Sequence, residues 1–238
     1  VQFTNAVLNR YKKLIDEYKD DPRVQKRNQH NVLRKNIYIS EDSFWKALVI
    51  AILSTQSRNT EEFGKNRAEL ATDNYEKMKN CKDIANRVRQ LKGIRYTTKK
   101  PESIARSMRV LQEKWKEIKK HLETLLNTTS LEKEREVADY LRETFKGNQI
   151  GLKQSRNIIQ MLGLSQYVIP LDSRVMKVLE ANGGIREPKQ KKPLQSRAGY
   201  CDIEEQINEL CEHLNGQCGD FVVKPCNFDI CAFISEEN

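Results

Sequence analysis

Residues 130–182 read SLEKEREVADYLRETFKGNQIGLKQSRNIIQMLGLSQYVIPLDSRVMKVLEAN, and the order of helix signals in this stretch decides the fold. Val137, Ala138, Leu141 and Phe145 recur at the spacing of one helix face, which predicts a helix over 130–146 with Ser130 as its cap. Glu132 and Glu134 make the first turn acidic, which suits the positive end of the helix dipole. Gly147-Asn148-Gln149-Ile150-Gly151-Leu152 follows, a tight connection with two glycines. A second helix is predicted over 153–162, stopped by Gly163. Val168-Ile169-Pro170-Leu171 then leads to Asp172, which can cap a further helix over 173–181. The reading is helix, hairpin, helix, then a short return to another helix start.

Working outward, the rest of the chain is also helical in pattern. Phe3, Val7, Tyr11, Leu14 and Tyr18 keep helical spacing through 3–21. Residues 41–54 (EDSFWKALVIAILS) are the most apolar stretch and predict a central buried helix, too short to span a bilayer. Residues 60–81 read as a polar helix pair or one broken helix, and 101–125 as a long charged helix with Pro101 near its start. Helices are also predicted over 202–214 and 227–235, with a basic loop over 183–197. No strand alternation, internal repeat or linker is visible, so the fold class is all-α. Residues 1–34 and 131–238 are expected to form one helical subdomain holding the helix-hairpin-helix, with 35–130 as a central bundle and the motif where the two meet.

The chain has 238 residues, with 42 Lys and Arg against 33 Asp and Glu, a net +9. This balance favours a polyanionic partner such as nucleic acid, and it equally fits a solubilising surface. Twelve of the basic residues fall within 86–120, from Arg87 to Lys120, where they could follow a phosphate backbone or form the wet face of a helix. No run is long and apolar enough to span a membrane, and residues 1–11 lack the order of a secretory signal. Six cysteines occur without a CxxC pair, which predicts reduced thiols in an intracellular protein.

The hairpin carries the chemistry. A short turn with glycines exposes backbone N–H groups, and the positive end of the following helix lies beside them, a phosphate-binding arrangement. Such contact grips DNA without reading sequence. Lys153 falls in the first turn of that helix, where the dipole disfavours a cation and so favours the neutral amine that a nucleophile needs. Asp172, 19 residues later, supplies a carboxylate that could stabilise positive charge developing on a sugar. Taken singly, Lys153 also fits a solvated surface lysine and Asp172 a plain helix cap.

Taken together, in this order, these residues resemble the helix-hairpin-helix DNA glycosylase superfamily, which includes endonuclease III and the 8-oxoguanine DNA glycosylases. The match rests on Ile150-Gly151-Leu152-Lys153-Gln154-Ser155, on Ile158-Ile159-Gln160-Met161-Leu162-Gly163, and on Ile169-Pro170-Leu171-Asp172-Ser173-Arg174. The Gly-Leu-Lys form is most similar to archaeal-type 8-oxoguanine glycosylases. Upstream, Leu53-Ser54-Thr55-Gln56 is similar to a family stretch whose Gln lies near the gap left by an extruded base, and Leu91-Lys92-Gly93-Ile94-Arg95-Tyr96 to the motif before a long helix. One departure stands in the turn: where the family carries glycine two residues before Gly151, this chain has Gln149. Gly147 could take over the turn, or the hairpin could bind phosphate less well.

The resemblance implies a base-excision repair enzyme with Lys153 and Asp172 as catalytic residues. DNA contact is expected from Gln56, Arg58, Gln149, Ile150, Gly151, Gln154 and Arg174. The partner would be duplex DNA carrying 8-oxoguanine or an abasic site, bound by a monomer away from any membrane, with no cofactor. Two alternatives remain: an oxidised-pyrimidine glycosylase like endonuclease III, or a non-catalytic DNA-binding module. Some relatives hold a [4Fe–4S] cluster on four C-terminal cysteines. Here Cys211, Cys218, Cys226 and Cys231 match only the first spacing of that pattern, and 227–234 reads instead as a closing amphipathic helix, so no cluster is expected.

Overall fold

The apolar faces picked out by spacing become helices in the computed structural model, which describes residues 3–54, 75–81, 83–90, 98–127, 130–186 and 193–237. In chain order they are α1 (Asn5–Tyr18), α2 (Pro22–Arg27), α3 (Glu41–Ser54), α4 (Tyr75–Lys79), α5 (Ile84–Arg89), α6 (Lys99–Asn127), α7 (Leu131–Thr144), α8 (Leu152–Met161), α9 (Ser173–Asn182), α10 (Arg197–Leu214) and α11 (Pro225–Ser235). A π-helical turn, Asn28–Val32, follows α2. No strand occurs among the described residues, so the chain is all-α. None of the described helices is long and apolar enough to cross a membrane.

The chain divides into two compact units. The first comprises Val1–Ile37, Thr129–Arg135 and Gly163–Asn238; the second comprises Tyr38–Thr128 and Glu136–Leu162. This division differs from the sequence expectation over 136–162. That stretch carries most of α7, the hairpin and α8, and it clusters with 38–128 instead of with the chain ends. The physical reason is that α8 buries Ile158 and Ile159 and packs against α3, the most apolar helix of the second unit.

In the first unit, α1 presents Val7, Leu8, Tyr11 and Ile15 to the core and packs on α9, α10 and α11. Asp21 caps α2 and Pro22 opens it, so a separate helix starts where the 3–21 periodicity ends. α11 is buried almost all round, with Cys226, Phe228, Cys231, Ala232 and Ile234 inside, as expected for a helix apolar on every face. The Tyr11 hydroxyl donates to the Gly183 carbonyl at 2.9 Å and ties α1 to the end of α9. Arg135 joins α7 to α10: its Nε donates to Glu204 at 3.0 Å and one terminal nitrogen to Glu205 at 2.7 Å.

In the second unit, α3 buries Phe44, Trp45, Leu48, Ile52 and Leu53, which fits its reading as the central helix. Phe44 lies between Trp115 of α6 and Phe145, with ring centroids 6.0 and 5.9 Å away. The C-terminal end of α3 leaves carbonyls without helical partners. Lys100, almost wholly buried, donates to one of them, Leu53 O, at 2.7 Å.

Candidate active site

The hairpin is a turn of two left-handed residues. Gly147 has φ 80° and Gln149 has φ 60°. Glycine takes this conformation freely, whereas Gln149 holds it at a cost of about 1 kcal/mol. Gln149 therefore holds a left-handed conformation at the position where the resemblance expects glycine, and Gly147 is left-handed as well. Three side-chain contacts fasten the turn to α6. Arg106 Nε donates to Asn148 Oδ1 at 2.9 Å, a terminal nitrogen of Arg106 reaches Gly147 O at 3.4 Å, and Gln149 Nε2 reaches Ser103 Oγ at 3.4 Å. Ile150 is buried beneath the turn.

Gly151 ends the hairpin and is the N-cap of α8, with no side-chain cap bond. It is exposed, its φ of −97° is open to any residue, and a Cβ built on it would meet nothing within 4 Å. The fold thus has no need of glycine here; the exposed backbone is what the residue provides. Lys153 is the second residue of α8 and half-buried, and Gln154 next to it is buried. One turn further, Arg156 is fully buried and donates to Leu152 O at 3.2 Å, with Asp139 Oδ1 at 3.9 Å. The first turn of α8 is thereby held from inside by a guanidinium.

Asp172 is the N-cap of α9. Its Oδ1 accepts from Arg174 N at 2.9 Å and Val175 N at 3.2 Å. These bonds fix the carboxylate relative to the helix start. Arg174 lays its guanidinium over the Phe233 ring, 4.2 Å from the centroid. The structure thus groups Gln149, Ile150, Gly151, Lys153 and Gln154 at the hairpin in the second unit, and Asp172 with Arg174 at the start of α9 in the first. Gln56 and Arg58 lie outside the described residues, as does the motif over 91–96.

Sequence reasoning missed Arg106, Ser103 and Arg156 as supports of the hairpin and of α8, and it missed Glu134. Read as an acidic first-turn residue, Glu134 is instead wholly buried. Burial pushes its carboxyl up to about 7, although hydrogen bonds to it from Gln166, Val168, Tyr167 and Ser165 pull the other way.

The C-terminal cysteines are core residues. Cys211, Cys218, Cys226 and Cys231 are free thiols and all buried. Burial raises each of them, Cys226 and Cys231 to about 12, so the thiolate that a metal needs is disfavoured. No group of three or more His, Cys, Asp or Glu among the described residues could hold a metal ion.

The described residues thus form an all-α chain with a helix-hairpin-helix whose second helix carries a lysine in its first turn. The model of the family of 8-oxoguanine DNA glycosylases (Ogg-HhH) matches residues 25–216, well over half of the sequence, and the chain belongs to that family. In fold it is similar to the 8-oxoguanine DNA glycosylase of Methanocaldococcus jannaschii, with a TM-score of 0.68 and 21% identity over 97% of this chain and 93% of that one. No curated relative matches it in sequence. The family makes the protein a DNA glycosylase of base-excision repair whose substrate is damaged DNA.

Proposed function

We propose that the protein excises 8-oxoguanine from duplex DNA through a Schiff base on Lys153 and then cuts the strand by β-elimination. The observation that carries this reading is the start of α8. An exposed, uncapped helix N-terminus suits a DNA phosphate, and a half-buried lysine stands in the same turn. Gripping the backbone there places the amine beside one nucleotide, which must leave the base stack to react. The neutral Lys153 amine attacks C1′ of the deoxyribose. The bond from C1′ to the base breaks and the base leaves with the electron pair, taking up a proton.

Loss of the amine proton and opening of the sugar give the imine. Removal of a C2′ proton then expels the 3′ phosphate and breaks the strand. Asp172 supplies negative charge against the oxocarbenium character of C1′ in the first step. Each step uses protein side chains, water and DNA atoms.

The test is borohydride trapping on duplexes carrying 8-oxoguanine, an oxidised pyrimidine or an abasic site. A covalent adduct with 8-oxoguanine is expected. Lys153→Gln should lose it, and strand cleavage should fall about 1,000-fold or more while DNA affinity is kept. Cleavage that survives in Lys153→Gln would remove the lysine from the mechanism. An adduct with the abasic duplex alone would retain the lyase and reject 8-oxoguanine as its lesion.

A further inference from the structure

The segment 162–172 between α8 and α9 is buried apart from half-exposed Tyr167 and Asp172, yet it has no regular structure of its own. A buried irregular backbone must find hydrogen-bond partners elsewhere. Here they come from four directions. Glu134, in the first turn of α7, turns its carboxylate to three consecutive amides: Gln166 N at 2.8 Å, Tyr167 N at 2.8 Å and Val168 N at 2.9 Å. The Ser165 hydroxyl lies 3.2 Å from the same carboxylate and 2.6 Å from Val168 O. The π-helical turn contributes Asn31, whose side-chain amide donates to Ser165 O at 2.9 Å. From α10, Asn208 donates to Tyr167 O at 3.1 Å, and from α11 Cys226 N donates to Gln166 O at 3.1 Å. Closest to Asp172, the Tyr200 hydroxyl donates to Ile169 O at 3.0 Å and accepts from Leu171 N at 2.6 Å.

We infer that Glu134 is a positioning residue for the excision reaction: its carboxylate sets the path of 165–171 and, with Tyr200 completing that path, the place of Asp172. The inference rests on the role given to Asp172 above. Three consecutive N–H groups directed at one carboxylate fix three consecutive peptide planes, a constraint that an apolar contact at the same place would not impose. From Val168 only Ile169, Pro170 and Leu171 intervene before Asp172, and Pro170 fixes its own φ. Both ends of that short run are held, one by Glu134 and one by Tyr200. A buried carboxylate is expensive to maintain in a merely cohesive role, since apolar packing does as well or better. Besides these donors, Arg34 and Cys226 sense the charge of Glu134.

The experiment is a double-mutant cycle read in single-turnover excision from an 8-oxoguanine duplex, on full-length Glu134→Gln, Asp172→Asn and the double variant. Glu134→Gln should slow the chemical step about tenfold to a hundredfold, the scale of an ångström-sized misplacement, while DNA affinity stays at the wild-type value. In the Asp172→Asn background the same substitution should have no further effect, because the group it positions is gone. An equal loss in both backgrounds, or a loss confined to affinity and melting temperature, would overturn the inference and leave Asp172 in place. An Asp172→Asn protein that excises at the wild-type rate would instead overturn the role of Asp172, and this inference with it. Should Glu134→Gln fail to fold, Tyr200→Phe removes the last clamp before Asp172 and is read in the same cycle with the same two outcomes.

Discussion

Two helix starts in this protein are built in opposite ways. α9 begins at Asp172, whose Oδ1 takes the amides of Arg174 and Val175, so two of the orphan N–H groups of that turn are satisfied within the chain. α8 begins at Gly151, which offers no side chain, stands exposed and has open space where a Cβ would be. The first design holds a carboxylate still; the second places no side-chain cap on its helix. The two starts sit 21 residues apart in the same sequence.

The largest expected effect comes from separating the cap made by Asp172 from the charge proposed for it in excision. Asp172→Asn keeps an oxygen that can cap α9 but removes the charge. Excision should fall about 100- to 1,000-fold with little change in melting temperature. Asp172→Ala should lose the same activity and also about 1 kcal/mol of stability. A stable, fully active Asp172→Asn protein would reduce Asp172 to a cap.

A third helix start sharpens the contrast. In the first turn of α7, Glu134 serves the 165–168 backbone, and burial lifts its carboxyl from 4.5 to about 7. A raised carboxyl is protonated more readily in the folded protein than in the unfolded chain. Its contribution to stability is therefore fully present below pH 4.5 and is lost as the pH rises through about 7. The loss is on the order of 3 kcal/mol across that window. Asp16, Asp21 and Asp42 are lowered and work in the opposite sense, so the measurement is a difference. Denaturant unfolding of wild type and Glu134→Gln at pH 5 and pH 8 should show wild type losing ground to the variant at the higher pH. An identical gap at both values would rule out titration of Glu134 in this window.

The open helix start of α8 predicts a smaller effect with a clean separation. Gly151→Ala meets no atom and no backbone strain, so stability should change by less than about 1 kcal/mol. The added methyl would stand where a phosphate is expected to approach, so DNA affinity should fall about tenfold. Unchanged affinity would mean that the uncapped turn does not face DNA.

How much of this was legible in the sequence depends on the range of the interaction. The two helices of the motif, the stop at Gly163 and the cap at Asp172 were readable because spacing and capping act within a few residues. The starts of α10 at Arg197 and α11 at Pro225 were read too late, although Tyr200 and Cys201, and Cys226 and Phe228, lie buried in their first turns. Glu134 and Arg156 were not recognisable as buried: an acidic residue in a first turn, or an arginine in a short helix, is usually solvated. What buries Glu134 is a loop more than 30 residues away. The grouping of 136–162 with the second unit was hidden for the same reason, because it depends on α8 packing against α3.

The smallest effect concerns the turn itself. Gln149 departs from the family's glycine, and the departure admits two opposite consequences for stability. Gln149→Gly would relieve about 1 kcal/mol of left-handed strain. It would also free the unfolded chain by about the same amount and give up the 3.4 Å contact with Ser103. The two terms nearly cancel, so thermal unfolding should move by no more than about 0.5 kcal/mol, and excision should be unaffected. A clear gain in stability would show that the Ser103 contact contributes nothing and that the turn is strained. A clear loss, with slower excision, would show that Gln149 holds the hairpin against α6 and that the glutamine compensates for the missing glycine through its side chain.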